Sequence, residues 1–108
     1  MIEFNILTIF PEMFENFTSS SICARAISSK LIDVNLYNFR DYTLDKHKRV
    51  DDYPFGGGAG MLIAPQPVFD CFSAVHEEHR GGKELNVYMS PCGKVLDMPT
   101  AKRLSGYD

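Results

Sequence analysis

Four glycines stand within five residues, Gly56–Gly60, near the middle of this chain. Glycine packs no side chain and loses more backbone entropy on folding than other residues, so this run does not suit the interior of a helix or strand. It suits a place where backbone approaches a ligand closely or turns through positive φ. A charged block, residues 45–52, precedes the glycines, and the apolar run Met61–Ile63 follows them. This order predicts a binding loop carried by a rigid scaffold, although a flexible linker could hold the same glycines.

The residues beside the glycines argue against a linker and against the common phosphate-binding motifs. No Lys-Ser or Lys-Thr pair follows the run, as a P-loop requires, and no clear strand precedes it, as a dinucleotide fingerprint requires. Tyr53, Phe55 and Met61 lie beside the glycines. Because apolar side chains seek burial, these three favour an ordered loop.

Composition indicates one globular domain. A chain of 108 residues with 44% hydrophobic residues is ordinary for such a domain. No apolar run approaches the roughly 20 residues that span a bilayer. The amino terminus lacks a basic region, and Glu3 and Asn5 interrupt its apolar residues, so we expect no signal peptide.

The three cysteines are scattered and form no C-x-x-C pair, which fits a reducing cytoplasm and predicts no metal site.

The net charge of -3 lacks the basic surplus of a general nucleic-acid binder. A local basic group nevertheless stands beside the glycines: Lys46, Lys48 and Arg49. These side chains could meet phosphates. They could equally form a solvated loop neutralised by the aspartates around them.

Hydrophobic periodicity predicts strands that alternate with helices. The predicted elements, in chain order, are a strand from Ile2 to Phe10, a helix from Pro11, a helix near residues 22–30 capped within Ser19–Ser21, a strand from Ile32 to Phe39, a loop over residues 40–60, a helix from Pro65 to the glycines at 81–82, a strand Leu85–Met89 and a helix Met98–Leu104. Val68, Phe72, Val75 and His79 should share one face of the long helix. The alternation predicts an α/β fold with a parallel sheet and flanking helices. Ligands of such sheets bind beyond the carboxyl ends of the strands, where Phe10-Pro11 and Ser90–Gly93 should lie.

Four motifs in this order resemble the bacterial tRNA (guanine-N1)-methyltransferase family over nearly all of the chain. They are Phe10-Pro11-Glu12-Met13-Phe14, Phe39-Arg40-Asp41-Tyr42-Thr43, the segment Arg49–Met61, and Tyr88-Met89-Ser90-Pro91-Cys92-Gly93-Lys94. Two positions depart from the family pattern, Ala59 and Cys92. The resemblance implies a partial SPOUT-type (trefoil-knot) methyltransferase domain, with residues 1–108 as its N-terminal part and the knot-forming C-terminal part absent. It also implies a homodimer with the active site between subunits.

The resemblance implies an activity as well: methyl transfer from S-adenosylmethionine to N1 of the guanosine 3′ of the anticodon, tRNA position 37. In this family the general base and most of the cofactor pocket lie downstream. We therefore expect no catalytic residue within these 108 residues, and an isolated chain without activity.

The resemblance also assigns roles to residues of this chain. One wall of the S-adenosylmethionine pocket would consist of Tyr88, Ser90, Pro91 and Gly93. Binding of tRNA or ordering of the loop would involve Arg25, His47, Arg49, Asp51, Gly56, Gly57, Gly58 and Gly60. From the residues alone, Ser-Pro-x-Gly is also an ordinary turn, and Asp51 and Asp52 are also ordinary turn carboxylates.

Two other functions fit the residues. A non-catalytic α/β domain could bind an anion or nucleotide through the glycine loop, and a structural fragment could bind little. His76 and His79 have a spacing that metal sites use, but without a third ligand we interpret them as surface or core-edge histidines. We expect Cys92 to be accessible and Cys23 and Cys71 to be more buried. An apolar sheet edge left open should favour self-association.

Overall fold

A computed structural model describes residues 1–47, 51–52 and 62–108. The elements, in chain order, are β1 (Ile2–Thr8), α1 (Glu12–Thr18), α2 (Ser21–Ser28), β2 (Ile32–Asn38), a 3-10 helix (Phe39–Tyr42), β3 (Asp51–Asp52), β4 (Leu62–Ile63), α3 (Pro65–His79) and α4 (Met98–Leu104). The order confirms the predicted alternation of strands and helices over the first half of the chain. In the described part of the chain, no helix combines the length and the apolar content that crossing a membrane requires.

The strands β1 and β2 form a parallel pair, as predicted. Their register runs from Ile2 opposite Ile32 to Thr8 opposite Asn38. The helices α1 and α2 connect them, because parallel neighbours need a crossover rather than a tight turn. Both carboxyl ends therefore lie at one edge, where the chain leaves β2 directly into the 3-10 helix. The side chain of Asn38 begins that helix by accepting a hydrogen bond from the Arg40 amide, at 2.9 Å.

The core lies where α3 covers this carboxyl edge. Phe39, Cys71 and Val75 form its buried cluster, and Pro67 at the start of α3 is fully buried as well. Partly buried neighbours complete it: Leu7, Ile9, Tyr37, Tyr42 and Val68. Val75 occupies the predicted face of α3, but Phe72 is 41% exposed and Cys71 fills the centre instead. The core therefore fixes the start of the long loop against α3.

The prediction of a third strand at Leu85–Met89 is wrong, because the structure has no strand at these residues. These residues form no ladder with β1 or β2, and Val87 is 62% exposed. Periodicity reports the intrinsic preference of a segment, whereas a strand also needs a neighbour whose backbone groups pair with it.

Several element boundaries also differ from prediction. β1 ends at Thr8, whose hydroxyl accepts a hydrogen bond from the Phe10 amide at 3.1 Å and turns the chain. Pro11 is the cap residue before α1 and not its first residue. Ser20 precedes α2, but its hydroxyl donates to the carbonyl of Asn16, at 2.6 Å, and does not cap the helix. The predicted loop over residues 40–60 contains β3 and all of the 3-10 helix except Phe39.

Candidate cofactor and nucleic-acid site

The Ser90–Gly93 segment is a tight turn, as predicted. The Gly93 amide donates to the carbonyl of Ser90 at 3.0 Å, and the Cys92 amide donates to the Ser90 hydroxyl at 3.2 Å. A Cβ atom on Gly93 would lie 3.2 Å from the Ser90 carbonyl oxygen. Glycine at this position therefore follows from the geometry of the turn itself, whether or not a ligand approaches it.

Apolar side chains surround this turn and face solvent. Tyr88 is 90% exposed, Met89 is 86% exposed and Val95 is 88% exposed. Cys92 is exposed too, whereas Cys23 is partly buried and Cys71 is buried, which confirms the predicted order of the three thiols. Clustered exposed apolar residues commonly mark a surface that something else covers.

The residues of the turn fit an adenosine-bearing cofactor. An adenine ring needs an apolar or aromatic surface and a few fixed polar groups. The exposed Tyr88 ring could supply the aromatic surface, and the backbone held by Ser90 could supply the fixed polar groups. The assignment of Tyr88, Ser90, Pro91 and Gly93 to a cofactor stays a prediction.

The glycine-rich segment is attached to the scaffold at both ends. Asp51 lies opposite Ile63 and Asp52 lies opposite Leu62 in the antiparallel pair of β3 and β4, which the sequence did not predict. Residues 53–61 therefore connect two paired strands. Four of the predicted loop glycines and one arginine lie outside the described residues: Gly56, Gly57, Gly58, Gly60 and Arg49.

Gln66, at the start of α3, holds the beginning of the loop. Its side-chain oxygen accepts from the Leu44 amide at 3.1 Å, and its side-chain nitrogen donates to the Tyr42 carbonyl at 2.7 Å. The same nitrogen lies 2.6 Å from Asp70 Oδ2, one helical turn further along α3. Sequence reasoning missed this residue, because contacts between residues 22 or 24 positions apart leave no local pattern.

Arg25 and His47, the other predicted tRNA-contacting residues, are exposed. Arg25 lies on α2, and the His47 amide donates to Asp45 Oδ2 at 3.0 Å in the first part of the loop. No hydrogen bond between described residues joins either of them to the Ser90–Gly93 turn. The structure therefore leaves both side chains accessible without assembling them into one site.

Burial, and not catalytic tuning, perturbs the ionisable groups beneath the loop. Burial, followed by the nearby Asp41 carboxylate, raises the pKa of the Cys71 thiol to about 11. Burial is also the largest cause that raises the pKa of Tyr42. Both groups remain neutral at physiological pH, so we interpret them as core residues.

The two histidines of α3 bind acidic side chains. His76 Nδ1 lies 3.1 Å from Glu84, and His79 Nδ1 lies 2.5 Å from Glu3. Within the described ranges, no group of three or more histidine, cysteine, aspartate or glutamate side chains is arranged to hold a metal. His76 is exposed and His79 half-buried, as their interpretation as surface or core-edge residues predicts.

Comparison with known proteins identifies the family. The family model for tRNA (Guanine-1)-methyltransferase TrmD matches residues 2–108. A protein named tRNA (guanine-N(1)-)-methyltransferase from Ruminiclostridium cellulolyticum is 50% identical over 103 residues, 95% of this chain and 44% of that protein. A protein of the same name from Clostridioides difficile is 44% identical over 102 residues. The match covers 94% of this chain and 44% of that protein.

A solved structure gives the same answer. The crystal structure of tRNA (m1G37) methyltransferase from Aquifex aeolicus matches with a TM-score of 0.67 and 28% identity, over 79% of this chain and 42% of that one. The chain thus spans about two fifths of the length of these relatives, in agreement with the expected partial domain. With a family model matched over residues 2–108, this chain belongs to the tRNA (guanine-1)-methyltransferase TrmD family.

Proposed function

We propose that residues 1–108 form the N-terminal part of an S-adenosylmethionine-dependent tRNA methyltransferase domain. Its reaction is methyl transfer to N1 of the guanosine 3′ of the anticodon, at tRNA position 37. The observation that carries this proposal is the family match over residues 2–108. The names of the relatives agree with it, and the Aquifex aeolicus protein is named tRNA (m1G37) methyltransferase.

In this proposal the Ser90–Gly93 turn is one wall of the cofactor pocket. The Tyr88 ring covers an adenine face, and the backbone between Ser90 and Gly93 reads its polar edge. The two hydrogen bonds to Ser90 fix the turn before any ligand arrives, so that little conformational entropy is lost on binding. The exposure of Tyr88 supports this role, since no described part of the chain covers it.

The loop between the 3-10 helix and α3 is the proposed tRNA-contacting part. The pairing of β3 with β4 and the bonds of Gln66 hold its ends on the scaffold. Arg25, His47 and Arg49 would meet phosphates, and Asp51 would order the loop. The glycines at positions 56, 57, 58 and 60 would let backbone approach the target base, which has to leave the base stack to react.

Held by Tyr88, Ser90, Pro91 and Gly93, S-adenosylmethionine would supply a sulfonium methyl group for transfer to N1 of guanine. N1 of neutral guanine carries a proton, and charge develops on O6 during the reaction, so the site needs a base and a hydrogen-bond donor. We assign neither role to a residue of this chain. Its residues bind and orient the two substrates. We further propose that the enzyme acts in the cytoplasm as a homodimer.

A chimera tests this function. The 102-residue region of the Clostridioides difficile relative that matches this chain would be replaced by the corresponding residues of this chain. The chimera should form 1-methylguanosine in a tRNA transcript with guanosine at position 37 and S-adenosylmethionine as donor. A transcript with adenosine at that position is the matched substrate control, and the unmodified relative is the enzyme control.

The result that would overturn the proposal is a chimera that folds but does not methylate. Circular dichroism and size-exclusion chromatography establish folding and oligomeric state. A chimera that has the secondary structure and size of its active parent, yet forms no 1-methylguanosine, would show that these 108 residues do not perform the family's role.

A further inference from the structure

The start of the loop after the 3-10 helix is a turn held by three hydrogen bonds. The Asp45 amide donates to Oγ1 of Thr43 at 3.3 Å. The His47 amide donates to Oδ2 of Asp45 at 3.0 Å. Between them, the Leu44 amide donates to the side chain of Gln66 on α3, at 3.1 Å. The backbone that carries the Leu44 side chain is therefore fixed both within the turn and to the scaffold.

The Leu44 side chain lies outside this packing, with 84% of its surface exposed. Among the large apolar side chains that the structure describes, only those of Tyr88, Met89 and Val95 are more exposed, and all three surround the proposed cofactor turn. Single exposed leucines are common on protein surfaces. This one differs because Gln66, 22 positions further along the chain, holds its backbone amide. The turn thus presents Leu44 to solvent at a defined place.

The residues that follow Leu44 suit a polyanion. Lys46 and His47 are exposed, and the Asp45 carboxylate beside them is bound to the His47 amide. An ammonium group and an imidazole N–H can both donate to phosphate oxygens. An apolar side chain next to such donors matches the chemistry of a single-stranded RNA loop, which offers base faces between charged phosphates. The neighbours of Leu44 therefore favour RNA over a polypeptide surface as its partner.

Base flipping creates a surface that such a side chain can cover. The target guanosine leaves the base stack to react, and the bases beside it then lose a stacking partner. Proteins that unstack bases commonly place an apolar side chain, leucine among them, against the exposed base. A residue on fixed backbone loses less conformational entropy on binding than one on a free loop. The fixed turn therefore suits Leu44 to this contact.

We propose that Leu44 packs on the face of a base next to the target guanosine, and that Gln66 is a positioning residue that holds Leu44 there. This inference rests on the proposed function and names one contact between the loop and tRNA. Leu44 adds affinity for tRNA and does not contact the cofactor. Gln66 contributes through the Leu44 backbone and touches neither substrate.

The test measures dissociation constants for tRNA and for S-adenosylmethionine with the chimera described above. Leu44→Ser should weaken tRNA binding about tenfold, because apolar burial is lost, and should leave cofactor binding unchanged. Leu44→Met keeps an apolar side chain of similar volume and should bind tRNA within about twofold of the parent chimera. Leu31→Ser is the matched control, since Leu31 is 65% exposed and lies outside the loop.

Salt dependence separates the loss of this contact from disorder of the turn. An apolar contact releases no counterions, so Leu44→Ser should weaken tRNA binding by the same factor at every salt concentration. Lys46→Ala should instead reduce the slope of log Kd against log salt concentration by about one. Disorder of the turn would displace Lys46 as well. A reduced slope in Leu44→Ser would therefore contradict the proposal.

Two double-mutant cycles identify the partners of Leu44. The first uses two tRNA transcripts, each with an abasic nucleotide on one side of the target guanosine. In one of them Leu44→Ser should have no further effect, because the base face that Leu44 covers is absent. The second uses Gln66→Met, which removes both hydrogen bonds of the Gln66 side chain to the loop at similar volume. It should weaken tRNA binding in the parent chimera but not in Leu44→Ser.

The outcomes distinguish this contact from the function on which it rests. If the parent chimera methylates tRNA and Leu44→Ser binds tRNA equally tightly, the contact is wrong and the methyltransferase function stands. An effect of Leu44→Ser that persists in both abasic transcripts would also exclude the contact. A urea midpoint that falls together with tRNA affinity would place Leu44 against polypeptide instead. A parent chimera that binds no tRNA would overturn the proposed function and this contact together.

Discussion

The hydroxyl of Tyr37 lies 2.6 Å from Nε2 of His79, and this contact joins β2 to the end of α3. The other ring nitrogen of His79 lies against Glu3 on β1, so one histidine ties α3 to both strands. The Tyr37 hydroxyl also lies 3.4 Å from Oε2 of Glu78, so it contacts two residues at the end of α3. The link lies on the same face of α3 as the core residue Val75 and continues the packing toward the end of the helix.

Tyr37→Phe should destabilise the fold by about 0.5–1.5 kcal/mol, the usual contribution of one partly buried hydrogen bond. Urea denaturation followed by circular dichroism measures the change. Tyr88→Phe is the matched control, since it removes the same atom from a side chain that is 90% exposed. Equal stabilities of the two variants would show that the contacts of the Tyr37 hydroxyl with His79 and Glu78 contribute nothing.

The same tyrosine predicts a pH dependence. Burial, and then the neighbouring Glu78 carboxylate, raises the pKa of Tyr37 from 10.0 to about 12. Between these values the unfolded chain loses the phenolic proton while the folded chain keeps it. Its contribution to stability is therefore complete below pH 10 and is lost as the pH rises to about 12. Subtracting the ultraviolet titration curve of Tyr37→Phe from that of the wild type isolates the ionisation of Tyr37, which should occur near pH 12. A difference curve centred at pH 10 would contradict this.

Gln66→Ala should release the beginning of the loop from α3. The substitution removes the acceptor of the Leu44 amide and the donor to the Tyr42 carbonyl, so the Leu44 amide should exchange faster. Asp70→Ala is the matched control, because it removes only the contact of Gln66 within α3. Hydrogen exchange at Leu44 that is equally fast in both variants would mean that the loop is held elsewhere.

The three cysteines should react with iodoacetamide in the order of their exposure. Cys92 should react first and Cys23 more slowly. Cys71 should react only on unfolding, because it is fully buried and its pKa is raised to about 11. Mass spectrometry of the alkylated peptides over time gives the three rates. Fast labelling of Cys71 in the folded protein would contradict the position of the core.

The sequence predicts the elements whose signal is local. The helix Met98–Leu104 has the predicted bounds, since Asp97 caps it through the Thr100 amide at 2.9 Å and Pro99 suits its first turn. β1 and β2 were predictable from alternating apolar residues. The pairing of Asp51–Asp52 with Leu62–Ile63 was not, because two residues are too few to show a period.

Features that depend on contacts between residues far apart in the sequence could not be predicted. Leu85–Met89 has the composition of a strand but no neighbouring strand in this structure. No local sequence pattern indicates the role of Gln66, because it bonds to carbonyl and amide groups more than 20 positions away. The Ser90–Gly93 turn was predictable from its residues, whereas its ligand came only from the family resemblance.

Shielding of Cys92 by the cofactor tests the central claim most directly. The chimera with the Clostridioides difficile relative would be alkylated with and without saturating S-adenosylmethionine, and the labelled cysteines of this chain counted by mass spectrometry. If the turn is a wall of the cofactor pocket, labelling of Cys92 should slow in proportion to the bound fraction, while Cys23 and Cys71 keep their rates. The same Cys92 rate in both conditions would contradict the account and remove Tyr88, Ser90, Pro91 and Gly93 from the site.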